Sequence, residues 1–122
     1  MRDGARIAAA IEILDTLIAF DTVSRTPNTA LMDWAEERLR AIGAQTTRIP
    51  YEDGRENLYA VVGPADRPAV ILSGHTDVVP VEGQAWTKPP FRLTRADGRL
   101  YGRGTADMKG FLAASIHAML QA

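Results

Sequence analysis

Residues 69–77 have the sequence AVILSGHTD, in which an apolar run is followed at once by serine, glycine, histidine, threonine and aspartate. A short, wholly apolar run is typical of a strand that is buried on both faces of a sheet. We therefore predict a buried strand at 69–72. Ligands bind at the carboxyl ends of the strands in open α/β sheets, so residues 73–77 follow the strand where a functional site is expected.

The residues before this run predict two helices and a strand pair. Apolar residues recur at helical spacing over 7–20 and again over 29–42. The period then changes to two, which predicts strands at 45–49 and 57–62 joined by a turn at Asp53-Gly54.

The residues after the run predict a proline-rich loop, a hairpin over 91–101 and a final helix over 108–121. This order of helices and strands indicates a three-layer α/β arrangement. The final helix has no stop signal, so we expect a piece of a longer domain. Its predicted buried stripe leaves His117 facing solvent and consists of Met108, Phe111, Leu112, Ser115 and Met119.

The composition fits one globular unit and excludes several classes of partner. The chain has 122 residues, 46% of them hydrophobic, with 14 basic and 15 acidic residues and no cysteine. This charge balance gives no net field for nucleic acid or an anionic membrane. Without cysteine, any metal must bind to histidine and carboxylates. Glu12 and Asp15 interrupt the first apolar stretch, unlike a signal peptide or a membrane span, so we expect a cytoplasmic protein.

His75 and Asp77 are the first candidate site residues. In an extended segment, residues two apart project to the same side. The pair could bind one metal together, or Asp77 could accept a hydrogen bond from the second ring nitrogen of a metal-bound His75. A lone His-x-Asp triplet is common and indicates little by itself.

Asp107 is the second candidate, within residues 102–110, GRGTADMKG, at the start of the final helix. An aspartate there commonly caps backbone N–H groups, and its other lone pairs can bind a metal. The glycine spacing is not that of a phosphate-binding loop.

Arg103 and Lys109 could attract a substrate carboxylate or form a structural ion pair. Trp86 could line a pocket or pin its loop to the core.

The two motifs together, SGHTDVVPV at 73–81 and YGRGTADMKG at 101–110, closely resemble those of the co-catalytic metallopeptidases of the M20 type. The resemblance covers essentially the whole chain. It implies an α/β/α zinc-peptidase-like catalytic domain of which residues 1–122 are the N-terminal portion. The remaining catalytic half and the lid and dimerisation domain would lie outside these residues.

The resemblance also implies roles for the candidates. His75 would bind one of two zinc ions, Asp107 would bridge both, and Asp77 would be the catalytic-site carboxylate that orients His75. Co²⁺ could substitute for Zn²⁺. The peptide bond between Asp107 and Met108 is expected to be cis, as is common in the family.

The implied function is metal-assisted hydrolysis of an amide bond in a small N-acyl amino acid. Deacetylases, desuccinylases, carboxypeptidases and aminoacylases of the family share these motifs, so the acyl and amine specificity stays open. Because the general base and the other ligands would lie beyond residue 122, we expect this chain alone to be inactive. A different class of function is a non-catalytic, self-associating module. Self-association is expected in either case, because the apolar strand and the final helix would be uncovered.

Overall fold

The computed structural model describes residues 2–122, which form three helices and two separate two-stranded antiparallel sheets. The helices are α1 (Arg2–Ala19), α2 (Thr29–Ala41) and α3 (Gly110–Leu120), and the paired strands are β1 (Gln45–Pro50) with β2 (Glu56–Val61) and β3 (Thr94–Ala96) with β4 (Arg99–Tyr101). The predicted helices and both hairpins are confirmed. Within residues 2–122, none of the helices combines the length and the apolar character that crossing a bilayer would need.

The hydrophobic core lies where the three helices meet. The C-terminal half of α1 contributes its apolar face, and Leu17 and Ile18 are fully buried. These side chains pack with Leu31 and Met32 of α2. The core does not extend along all of α1: Ile7, the first of the apolar residues at helical spacing over 7–20, is 59% exposed.

Arg48 joins α2 to the first hairpin. Its guanidinium donates to Asp33 at 2.8 Å and to Glu36 at 3.1 Å, both on α2, and also to Glu56 on β2. The turn between β1 and β2 lies at the predicted Asp53-Gly54, where both residues have positive φ. Charge pairing therefore supports a hairpin whose own side chains are only half-buried at best.

The predicted buried strand at 69–72 is wrong. Val70 is 89% exposed, Ile71 78% and Leu72 45%. An apolar run becomes a buried strand only where neighbouring strands pair with its backbone. Among residues 2–122 the paired strands are those of the two hairpins, and neither hairpin pairs with this run.

The predicted buried face of α3 is correct only in part. Ala113 is buried and Leu112, Ile116 and Leu120 pack against the core, whereas Phe111 is 42% exposed. His117 is half-buried rather than solvent-facing, and its Nε2 is enclosed. The helix is apolar almost all round, so the spacing of its apolar residues does not select one face.

Candidate metal centre

The segment after α1 holds the loop that carries His75. The backbone N–H of Val78 donates to the carbonyl of Thr22 at 3.0 Å, and the N–H of Ser24 donates to the carbonyl of Val78 at 3.0 Å. The Thr22 hydroxyl also donates to the carbonyl of Thr76 at 2.6 Å. This short parallel pairing fixes residues 76–78, although they belong to no extended strand.

His75 is oriented from its Nδ1 side by Asp77. Nδ1 lies 3.1 Å from Oδ1 of Asp77 and 3.0 Å from its backbone carbonyl oxygen. The other carboxylate oxygen of Asp77 accepts a hydrogen bond from the Ser24 hydroxyl at 2.5 Å. The sequence motif therefore places His75 and Asp77 in direct contact, and a serine 53 residues away along the chain joins them.

Asp107 meets the other nitrogen of the same ring. Nε2 of His75 lies 3.0 Å from Oδ1 of Asp107. Residues 105–109 form a wide turn with a cis peptide bond between Asp107 and Met108, so the expected cis bond is present. The turn delays the start of α3 from the predicted 108 to Gly110, and the cap residue of α3 is Lys109. The Asp107 side chain is 76% exposed.

Burial and the two neighbouring carboxylates act in opposite directions on the pKa of His75. Partial burial opposes its charged form, but hydrogen bonds to the Asp77 carbonyl and to Asp107, with the charges of both carboxylates, outweigh that effect and raise the pKa of His75. The ring lies between two negative groups, and this arrangement favours a positive charge at the site.

Two glycines allow the close packing of the site. A Cβ at Gly74 would lie 2.8 Å from Cδ2 of Leu112, so the end of that side chain on α3 would have to move to admit one. Gly104 has a φ of +93°, and a Cβ there would lie 2.7 Å from Cγ1 of Val78. The backbone conformation therefore requires glycine at Gly104, whereas at Gly74 glycine leaves room for the Leu112 side chain.

Lys109 and Arg103 have structural contacts. Lys109 is fully buried, and its Nζ donates to the carbonyls of Leu17 and Phe20, each at 2.7 Å. Burial, opposed by the charge of Asp21, lowers the pKa of Lys109 to about 8. The side chain thus caps the C-terminal end of α1 and is inaccessible to a substrate carboxylate.

The Arg103 guanidinium donates to Oε1 of Gln84 and lies 4.9 Å from the centre of the Trp86 ring. The Trp86 indole N–H donates to the same Gln84 oxygen at 3.0 Å. These contacts pin the proline-rich loop to the segment before Asp107, which is the second of the two roles considered for Trp86.

The donor set at His75 and Asp107 fits a metal ion. When Nδ1–H faces Asp77, the Nε2 lone pair and the Asp107 oxygen are two acceptors aimed at one space, and only a proton or a cation stabilises that arrangement. Two ligands each about 2.1 Å from one tetrahedral zinc ion lie roughly 3.4 Å apart, so the two side chains, now 3.0 Å apart, would have to separate by a few tenths of an ångström to hold the ion. Residues 2–122 contain no cluster of three or more His, Cys, Asp or Glu side chains that could hold a metal. Within this part of the chain, His75 and Asp107 are the residues that would hold the ion.

The sequence reasoning missed Ser24 and the cap made by Lys109. Ser24 lies in the break after the first helix, and no spacing relates it to Asp77. Lys109 stands directly before an apolar helix, and this position could have indicated that it packs with the core. A lysine there is often exposed, however, so the sequence did not indicate burial.

The comparisons with known proteins agree with the motif pair. Residues 71–122 match the model of Peptidase family M20/M25/M40. Acetylornithine deacetylase of Myxococcus xanthus is 45% identical over 115 residues, which are 89% of this chain and 30% of the relative. Acetylornithine deacetylase of Pasteurella multocida (strain Pm70) is 43% identical over 104 residues, which are 84% of this chain and 26% of the relative.

A solved structure shows the same fold. The crystal structure of human carnosine dipeptidase 1 superposes with a TM-score of 0.80 at 28% identity over 97% of this chain and 28% of that chain. The predicted fold class, the N-terminal portion of an α/β peptidase domain, is confirmed. The predicted resemblance to the M20 family is confirmed as well. The chain spans about 30% of the length of the curated relatives named above.

Proposed function

We propose, from the confirmed resemblance of this chain to M20 peptidases, that it carries two metal ligands of a hydrolase that cleaves an amide bond. The observation that supports this most directly is the approach of His75 Nε2 to Asp107 Oδ1 at 3.0 Å. Residues from two motifs separated by some thirty positions meet there, each with exposed surface on its side chain.

In this proposal His75 would hold one of two zinc ions and Asp107 would hold both, and Co²⁺ could substitute for zinc. A metal held there would supply an acidified water molecule and a positive charge beside the amide carbonyl oxygen. Asp77 accepts the Nδ1–H of His75, which keeps the Nε2 lone pair directed toward the metal position. That the metal is zinc and that two ions bind are both part of this proposal.

The proposed substrate is a small N-acyl amino acid, and the first candidate is N-acetylornithine, cleaved to ornithine and acetate in arginine biosynthesis. The names of the curated relatives support this choice. A succinyl-diaminopimelate desuccinylase, an M20 carboxypeptidase or an aminoacylase is the alternative, because the two motifs determine the metal chemistry and not the acyl pocket.

Zinc uptake tests the ligand assignment. Two protein ligands leave half of the usual four positions to water, so we expect weak zinc binding in calorimetry. H75A and D107N should each abolish it, whereas H117A, which changes the other histidine, should bind like the parent. Equal uptake by H75A and the parent would contradict the assignment.

A chimera tests the catalytic proposal. The matching segment of the Myxococcus xanthus deacetylase is replaced by this chain, and turnover of N-acetylornithine is measured. Turnover that disappears with H75A in the chimera supports the proposal, and a folded, zinc-loaded but inactive chimera contradicts it. A gain of activity on N-succinyl-diaminopimelate would favour the alternative. We expect no turnover by the 122-residue chain alone, because two-metal catalysis needs further ligands and a base, and residues 2–122 hold no group of three or more candidate ligands.

We also propose that this chain forms a homo-oligomer with a second copy of itself. The exposed apolar run at 70–72 supports this proposal. The cytoplasmic location stays a prediction.

A further inference from the structure

Within residues 2–122, Ser24 is the one side chain outside the two motifs that donates a short hydrogen bond to a candidate site carboxylate. Its hydroxyl lies 2.5 Å from Oδ2 of Asp77, at the short end for a hydroxyl donating to a charged oxygen. The opposite oxygen, Oδ1, is the one 3.1 Å from His75 Nδ1. Ser24, Asp77 and His75 therefore form a chain of hydrogen-bonding contacts. It runs from the Ser24 hydroxyl through the Asp77 carboxylate to the His75 ring, whose Nε2 faces the proposed metal position.

The backbone around Ser24 is fixed on both sides. Its N–H donates to the Val78 carbonyl at 3.0 Å. A tight turn follows, closed by the Thr26 N–H donating to the Val23 carbonyl at 2.9 Å, with Arg25 at a φ of +75°. The Ser24 hydroxyl is thereby held where it meets Asp77, while the Thr26 hydroxyl in the same turn donates back to the Val23 carbonyl at 2.6 Å.

We propose that Ser24 is a positioning residue for the metal site, acting on His75 through Asp77. The proposal rests on the proposed function of His75 as a ligand. A carboxylate that is 54% exposed can rotate away from the ring unless its second oxygen is held. The Ser24 hydroxyl holds that oxygen, so Asp77 keeps its first oxygen on Nδ1 and the ring keeps the tautomer that leaves Nε2 free for a metal.

The test compares S24T and S24V, which have nearly the same shape and differ in a hydroxyl against a methyl group. Zinc affinity is measured by calorimetry, with thermal unfolding of the metal-free proteins in parallel. We expect S24T to bind like the parent and S24V to lose about tenfold in affinity, the lower end of the loss typical for a partner of a metal ligand. The control T26V removes a hydroxyl from the same turn and should bind like the parent.

A second readout needs no metal. Long-range proton–nitrogen correlation spectra of the His75 ring, recorded at alkaline pH where the ring is neutral, report which nitrogen carries the proton. Asp107 lies 3.0 Å from Nε2 and competes for the proton when no metal is bound, so the comparison between variants is what decides. We expect the Nδ1–H fraction to be the same in the parent and S24T and lower in S24V. An unchanged tautomer in a folded S24V overturns the proposal.

The two readouts separate the two hypotheses. If the parent takes up zinc through His75 and S24V matches S24T in affinity and tautomer, the role of Ser24 is refuted and the proposed function stands. If the parent takes up no zinc and the tautomer still shifts in S24V, the proposed function fails and the link from Ser24 to His75 is supported.

Discussion

The Nζ of Lys109 donates to the backbone carbonyl of Leu17 at 2.7 Å, which connects the turn bearing Asp107 to the end of α1. The carbonyl of Phe20 accepts from the same ammonium. The last carbonyls of a helix have no partner within the helix, and a cation there also interacts favourably with the helix dipole. Residues 22–24 continue from this helix end to the loop of His75. One short segment of chain therefore supports both candidate ligands.

Replacing Lys109 by methionine should destabilise the protein by about 2 kcal/mol, because two shielded carbonyls lose a charged donor while the side-chain volume is kept. Zinc affinity should fall as well, since Asp107 lies two residues earlier. Denaturant unfolding and calorimetry measure the two effects. K88M is the matched control: Lys88 lies over the Tyr101 ring at 4.3 Å, and its loss should cost about 0.5 kcal/mol. Equal costs for the two variants would contradict the role of Lys109 as a cap.

Gly110 should not tolerate alanine. A Cβ there would lie 2.3 Å from the carbonyl oxygen of Thr105, so the turn that carries Asp107 would have to shift. We expect G110A to lower the free energy of unfolding by about 2 kcal/mol and to weaken zinc binding. Gly4 is also helical but has nothing within 4 Å of the added atom, so G4A should raise stability by about 0.5 kcal/mol. Thermal unfolding of the pair should give opposite signs, and a loss in both would contradict this reasoning.

Glu36 should make folding sensitive to acid. The nearby Thr46 hydroxyl and the guanidinium groups of Arg48 and Arg40 lower the pKa of Glu36 below the usual value, although burial opposes them. A carboxyl with a lowered pKa in the folded state stabilises the protein above its unfolded pKa, and this contribution disappears as pH falls through the folded pKa. The fall in melting temperature from pH 6 to pH 3 should therefore be smaller in E36Q. E37Q, which changes the neighbouring exposed glutamate, should behave like the parent, and identical acid profiles for E36Q and the parent would contradict the prediction.

Local patterns predicted the helices and hairpins because the signals that determine them are local. The helical spacing in α1, the turn at Asp53-Gly54 and the turn at Asp97-Gly98 are complete within a few residues. The burial of residues 69–72 and of one face of α3 depends instead on which other parts of the chain cover them. The spacing of apolar residues within a segment does not indicate which parts those are.

The residues of the candidate site were likewise predicted only in part from the sequence. The motif pair gave His75, Asp77 and Asp107, and the structure brings all three together. Ser24 and the cap made by Lys109 are contacts between segments that are distant along the chain. Neither residue type indicates its partner, so the sequence alone could not reveal these supports.

Residues 70–72 should drive self-association. Three consecutive apolar side chains are exposed, and no strand among residues 2–122 pairs with their backbone. An unpaired apolar run is a template for pairing with another chain, and a net charge of -1 gives little repulsion.

Light scattering after size exclusion should therefore show a mass that rises over a tenfold range of concentration. The double variant V70K/I71K should shift the protein toward a monomer, because charged side chains on an unpaired strand oppose pairing. I49K is the control, since Ile49 is 51% exposed but lies on a strand already paired with β2, and it should leave the association unchanged. A monomer at every concentration would mean that the run stays exposed without recruiting a second copy.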